Sequence, residues 1–217
     1  MRRLALIPAT PVLLSHIDRT EPRDSTAARA AIHDVLAASS AWALPVDTLP
    51  VLLGLGGFGI DRGIDTRTGE LLEADAWVDA VTALDEDERD ACRTAHPGLA
   101  IAALHAHEAG VTIGAAGTSE AVLAPFDLSG AASADAPLAP VPGASDFDAD
   151  VAAAIARWDT PALRTAVSGA RAVHADLDLL GAALDDPDVG TLGTREVTIV
   201  LDSTVHDVRT LCAVAEG

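Results

Sequence analysis

Leu4-Ala-Leu-Ile-Pro-Ala-Thr-Pro-Val-Leu-Leu14 decides the fold. It is a short apolar run stopped by a Pro-x-x-Pro turn, the pattern of a central strand buried on both faces. In open α/β sheets ligands collect outside the carboxyl ends of the strands. The first residue at that edge is Pro8, which offers neither a donor, a charge nor a metal-binding atom.

The following segments repeat a strand–helix rhythm. Ser25 is expected to cap a helix over 26–38 that buries Ala28, Ile32, Val35 and Leu36 on one face. A second strand is expected at Leu49–Leu53, running into Gly54-Leu-Gly-Gly-Phe-Gly59. Residues 60–70 read as a loop or short hairpin, and 73–83 as a helix with Trp77 and Val81 inward and Leu84 beside them. Asp85 and Glu88 form a capping-box pair for the next helix, which Pro97-Gly98 stops. Leu99–Ala109 is a further helix and Val111–Ala115 a third strand. The Ala-, Ser-, Pro- and Gly-rich stretch 127–146 is the longest loop. A helix over 146–158 buries Phe147, Val151, Ile155 and Trp158, and Thr160-Pro161 caps its successor. Glu196–Leu201 and Val208–Val214 are closing strands, paired through a turn at Val205–Asp207. With no internal repeat, residues 1–217 are expected to form a single α/β domain, a mainly parallel sheet with helices on both faces.

Composition narrows the function. The formal net charge of −19 argues against a nucleic-acid binder, which needs clustered Lys and Arg. The chain has no lysine, so Schiff-base chemistry and a phosphate-loop lysine are excluded. No apolar run reaches the roughly 20 residues that span a bilayer. Arg2 and Arg3 imitate a signal peptide only faintly, because Pro8 and Pro11 break the run behind them. A cytoplasmic protein is expected, with Cys92 and Cys212 as reduced thiols.

Gly54, Gly56 and Gly59 match a dinucleotide-binding spacing, but Ile60-Asp-Arg-Gly-Ile-Asp65 does not open the helix that the fingerprint needs. His105-Ala-His107-Glu108 is the one local cluster resembling metal ligands. On a helix the two imidazoles diverge by about 200°, with His107 on the Ala100–Ala103 face. Ser119 lacks a Gly-x-Ser-x-Gly elbow. His206-Asp207 is a titratable pair between the last strands, whereas His16, His96 and His174 show no informative spacing.

Taken in order, these landmarks resemble the class III extradiol ring-cleavage dioxygenase family, B-subunit-like, in a short actinobacterial-type form. The resemblance rests on Leu6–Leu14, Val51–Gly57, Val111–Ser119, Phe147–Leu163 and Asp207–Glu216. It implies a single α/β domain. In active members it implies Fe(II) or zinc held by two histidines and a carboxylate at strand ends, with a further acid–base histidine. Here Pro8 stands where the first of these histidines is expected, Gly54–Gly56 where the second is, and Ser119 and Glu120 where the catalytic one is. A facial iron site needs about three protein ligands. The reading is therefore a non-catalytic, metal-site-deficient relative without a cofactor. Its ligand cleft is expected among Pro8, Thr10, Gly56, Phe58, Thr118 and Ser119, for a small molecule or a protein partner; a homo-oligomer stays open. Two alternatives remain. One is an enzyme with replaced hydrolase- or lyase-type chemistry using Glu120 or His206 as base. The other is an Fe(II)- or zinc-dependent oxidoreductase using His105 or His107.

Overall fold

The computed structural model describes residues 3–15, 17, 23–190 and 196–217; Arg2 and His16 lie outside them. The strand at the head of the chain is β1 (Arg3–Pro8), and Leu4 to Ile7 are essentially inaccessible. It pairs in parallel with β7 (Ala121–Phe126), Pro8 opposite Phe126, and antiparallel with β9 (Val208–Glu216). With β2 (Ala41–Ala43), β6 (Thr112–Gly114) and β8 (Glu196–Val205) they make one six-stranded sheet in the order β6-β2-β7-β1-β9-β8. Its β6-β2-β7-β1 portion is parallel and its β9–β8 hairpin antiparallel, giving a mixed α/β sheet.

Alternation along the strands builds two apolar layers. Ala5, Ile7 and Leu123 pack against α1 (Arg23–Leu36) and α4 (Pro97–Glu108). Leu4, Leu6, Val122, Ala124 and Phe126 face the other way, onto α5 (Ala144–Arg157), α6 (Thr160–Gly169) and α7 (Asp178–Asp185). Each fully buried Leu or Ile contributes roughly 1.5–3 kcal/mol. None of the helices in the described residues is long and apolar enough to cross a membrane.

The expected second strand is corrected. Leu52–Gly54 (β3) joins β4 (Arg62–Asp65) and β5 (Glu70–Glu73) in a separate antiparallel sheet, while Ala41–Ala43 takes the place in the main one. The Gly-rich stretch is a short 3-10 turn, Gly56–Phe58, followed by β4 and not by a helix. Its glycines serve packing. A Cβ on Gly54 would stand 2.0 Å from Trp77 Cη2, and one on Gly63 2.4 Å from Trp77 Cζ3. Trp77 comes from α2 (Asp75–Ala83) and closes a third small core with Leu52 and Leu84.

Three helix starts follow from local chemistry. Asp85 accepts from the Glu88 N–H at 2.8 Å and Glu88 reaches back to the Asp85 N–H at 3.2 Å, capping α3 (Glu86–Thr94) as expected. Asp85→Ala is expected to cost about 1 kcal/mol, read as a lower urea midpoint with unchanged slope. Asp159, not Thr160, caps α6 by accepting from the Ala162 N–H. Ser25 does not precede α1 but lies buried within its first turn.

Candidate functional site at the carboxyl ends of β1 and β7

Beyond β7 the next residue is Asp127, and beyond Pro8 it is Ala9. Their parallel register sets them side by side. The Ala9 N–H reaches both Phe126 O and Asp127 Oδ1 at 3.0 Å. The Asp127 backbone in turn pairs in both directions with Asp176, at 2.8 and 2.9 Å, in the segment leading into α7. Asp176 brings a second carboxylate to the strand ends, and His96 meets it. His96 is the N-cap of α4: its Nδ1 accepts from the Gly98 N–H at 3.1 Å, and its Nε2 lies 3.0 Å from Asp176 Oδ2. The capping bond assigns the tautomer. Nδ1 is the acceptor, so Nε2 carries the proton and donates to Asp176.

These contacts set the proton affinities. Burial pushes the Asp127 carboxyl up to about 7; the nearby Asp176 charge reinforces this, while the Ala9 N–H opposes it. Asp127 keeps some surface toward a cleft, and it is the protein packed around its carboxyl that raises it. The Asp176 hydrogen bond raises His96 above its ordinary value. For Asp176, burial works upward, but the His96 hydrogen bond and charge hold the carboxyl below its ordinary value.

His96, Asp176 and Asp178 each bring a ligand atom within 4.8 Å of the others. They do not fit a metal well. A coordinating Nε2 must be bare, and here the Gly98 cap keeps it protonated. Asp178 is already paired with Arg171 at 2.8 Å. The arrangement is a hydrogen-bonded imidazole–carboxylate pair beside a neutralisable carboxyl.

In front of Asp127 and Asp176 opens a cleft of about 290 Å³. Leu128, Leu138 and Val205 supply apolar walls; Thr10, His174, His206 and Arg209 supply polar ones. Arg209 is clamped to Asp202 by two bonds, at 2.8 and 2.6 Å. His206 and Asp207 form the two-residue turn between β8 and β9, with φ of 48° and 62°, and His174 has φ 55°. Non-glycine residues in this left-handed region cost on the order of 1 kcal/mol or more each and gather at functional sites.

The expected ligand cleft is not one cleft. Thr10 and His206 line the one just described. Gly56 lines a separate cleft beside Trp77, and Phe58 stands 51% exposed on its turn. Ser119 lines a third, between Ala43 and Ala183, where its hydroxyl donates to Ala41 O and accepts from the Ala121 N–H. Thr118 fills the space over Gly114 and donates to Ala115 O. Pro8 is buried at the end of β1. Glu120 and His206 cannot act as a pair. Glu120 precedes the first residue of β7 and His206 lies near its last, a strand length of roughly 15–20 Å apart.

The histidines of α4 are likewise corrected. His105, not His107, points inward: it is 4% exposed, whereas His107 is exposed. The helix is buried on nearly every side until its last turn, so the point where it emerges decides exposure, not the Ala100–Ala103 face. Burial, helped by the Arg29 charge, pushes His105 down to about 4 and keeps it neutral. The two imidazoles do not share a metal-sized cluster among the described residues.

Asp127, Asp176 and His96 are not legible as a site from the sequence. The available signals are the position of Asp127 directly after an apolar run and that of His96 before a helix-starting proline. Neither the family models nor the curated proteins searched include a match to this chain.

Proposed function

We propose that the chain is a cytoplasmic, metal-site-deficient relative of the B-subunit-like extradiol dioxygenases that binds a small polar molecule in the Asp127 cleft. The observation carrying this reading is the chemistry at the end of β1 and β7. Where iron chemistry needs an open face of imidazole and carboxylate ligands, this edge offers Pro8, the Ala9 N–H and a buried carboxyl. The nearby imidazole that could ligate, His96, holds its Nε2 proton against Asp176. A neutral Asp127 can donate a hydrogen bond to a ligand oxygen, with the Thr10 hydroxyl beside it.

Anaerobic titration of the purified protein with Fe(II) and with Zn(II), followed by a ring-cleavage assay on a catechol, tests the reading. Weak, non-stoichiometric metal binding and no cleavage are expected. One equivalent of tightly held Fe(II) with oxygen-dependent cleavage would overturn it.

A second reading is favoured by Asp127 itself. A carboxyl titrating near neutrality inside a cleft, next to an ionised partner, is suited to general acid–base work. This moves the replaced chemistry from Glu120 and His206 to Asp127, with Asp176 and His96 positioning it. Turnover of any substrate that Asp127→Asn abolishes while binding persists would favour this reading over simple binding.

A further inference from the structure

A second cleft, of about 400 Å³, lies away from the β1–β7 edge between the small sheet and helices α2 and α3. Its size is that of an ordinary small-molecule site. Leu52, Val81, Leu84 and the Trp77 indole make its floor. The indole is fixed in one orientation because its benzenoid edge is pressed onto the bare backbones of Gly54 and Gly63. That leaves Nε1 on the side of Gly56, the glycine lining the cleft; Nε1 is the indole atom nearest a Cβ built there, at 3.8 Å. Trp77 is 7% exposed, yet no group of the described residues accepts its N–H. Its Nε1 is not sealed inside the protein, so the N–H stands as an open donor on the cleft wall.

Charge gives the acceptor its sign. The chain has 33 acidic and 14 basic residues, yet two arginines one helical turn apart, Arg89 and Arg93, line this cleft. Arg89 is anchored by its Nη2 bond to Leu84 O at 2.7 Å, and Arg93 bears only an exposed contact to Asp90. Asp61 also lines the cleft and disfavours a second anion on its own side. We propose that the Trp77 cleft binds a small carboxylate with an apolar body, its carboxylate taken by the Trp77 N–H and the Arg89–Arg93 pair. The body covers Leu52, Val81 and Leu84. Arginine and indole N–H together suit a carboxylate better than its amide, which supplies one acceptor and no charge.

The test uses phenylacetate, with phenylacetamide as the uncharged counterpart, followed by calorimetry and tryptophan fluorescence on the full chain. Gly56→Val is the blocking variant. Its Cβ would make only ordinary contact with Trp77 and its backbone angle is permissive, so the fold is retained, as an unchanged melting temperature will show. Saturable binding is expected, with roughly tenfold preference for the acid and at least tenfold weakening in Gly56→Val and in Arg93→Gln. No saturation by about 10 mM, equal affinity for the amide, or full binding by folded Gly56→Val would each overturn the proposal.

Discussion

Asp127→Asn is expected to stabilise the protein above pH 8 and to leave its stability unchanged near pH 3. The sign follows from the raised carboxyl. Burial lifts Asp127 from 3.8 to about 7, so the unfolded chain loses this proton first as pH rises. Between those two values the wild type loses stability with increasing pH, and above both the loss is complete, on the order of 4 kcal/mol. Asparagine keeps an oxygen for the Ala9 N–H and never ionises, so it removes that loss. For a chain of this size the gain is roughly 8 °C or more in melting temperature at pH 8. Asp148, which burial pushes up to about 6, acts in the same direction. His105, pushed down to about 4, acts oppositely: its contribution is lost as pH falls from 6.5. The wild-type profile is therefore a sum, and the difference between wild type and Asp127→Asn isolates one group. Thermal melts from pH 3 to 9 measure it; parallel profiles would show that Asp127 ionises normally.

The second large effect is steric. Gly54→Ala is expected to cost about 3 kcal/mol or more, although it adds one methyl group. The new Cβ would stand 2.0, 2.4 and 2.8 Å from three atoms of the Trp77 ring, which Gly63 blocks from behind. Denaturant titration measures the loss, and a double-mutant cycle assigns it. In a Trp77→Leu background the same substitution should cost less than about 1 kcal/mol, because the ring that it strikes is gone. An equal cost in both backgrounds would place the strain elsewhere in the small sheet.

The central strand, the layered helices and the β8–β9 hairpin are legible because each rests on a local pattern. Leu4–Ile7 is continuously apolar, Asp85 and Glu88 stand at capping distance, and the closing strands flank a two-residue turn. The strand that carries the candidate site is hidden by its own proline. Pro125 sits within β7, where a missing N–H ordinarily argues against a central strand. The ladder explains its tolerance. Ala9 reaches Phe126 on the β1 side, so Pro125 faces β2, whose pairing with β7 is confined to Val122. Without β7 nothing singles out Asp127, nor Asp176, which arrives through backbone pairing from a segment 49 residues later. His96 reads as the end of one helix, whereas it caps the next. The glycine stretch is legible as a turn, but its reason, a tryptophan from a later helix, is a tertiary contact that no spacing encodes.

The most direct measurement is a carbon-13 titration of the aspartate side-chain carboxyls, assigned with Asp127→Asn, before and after adding Zn(II). The Asp127 resonance is expected to titrate near 7 and to keep that midpoint with one equivalent of Zn(II). A midpoint near 4, or its collapse on stoichiometric zinc, would contradict a metal-free acid at the end of β7.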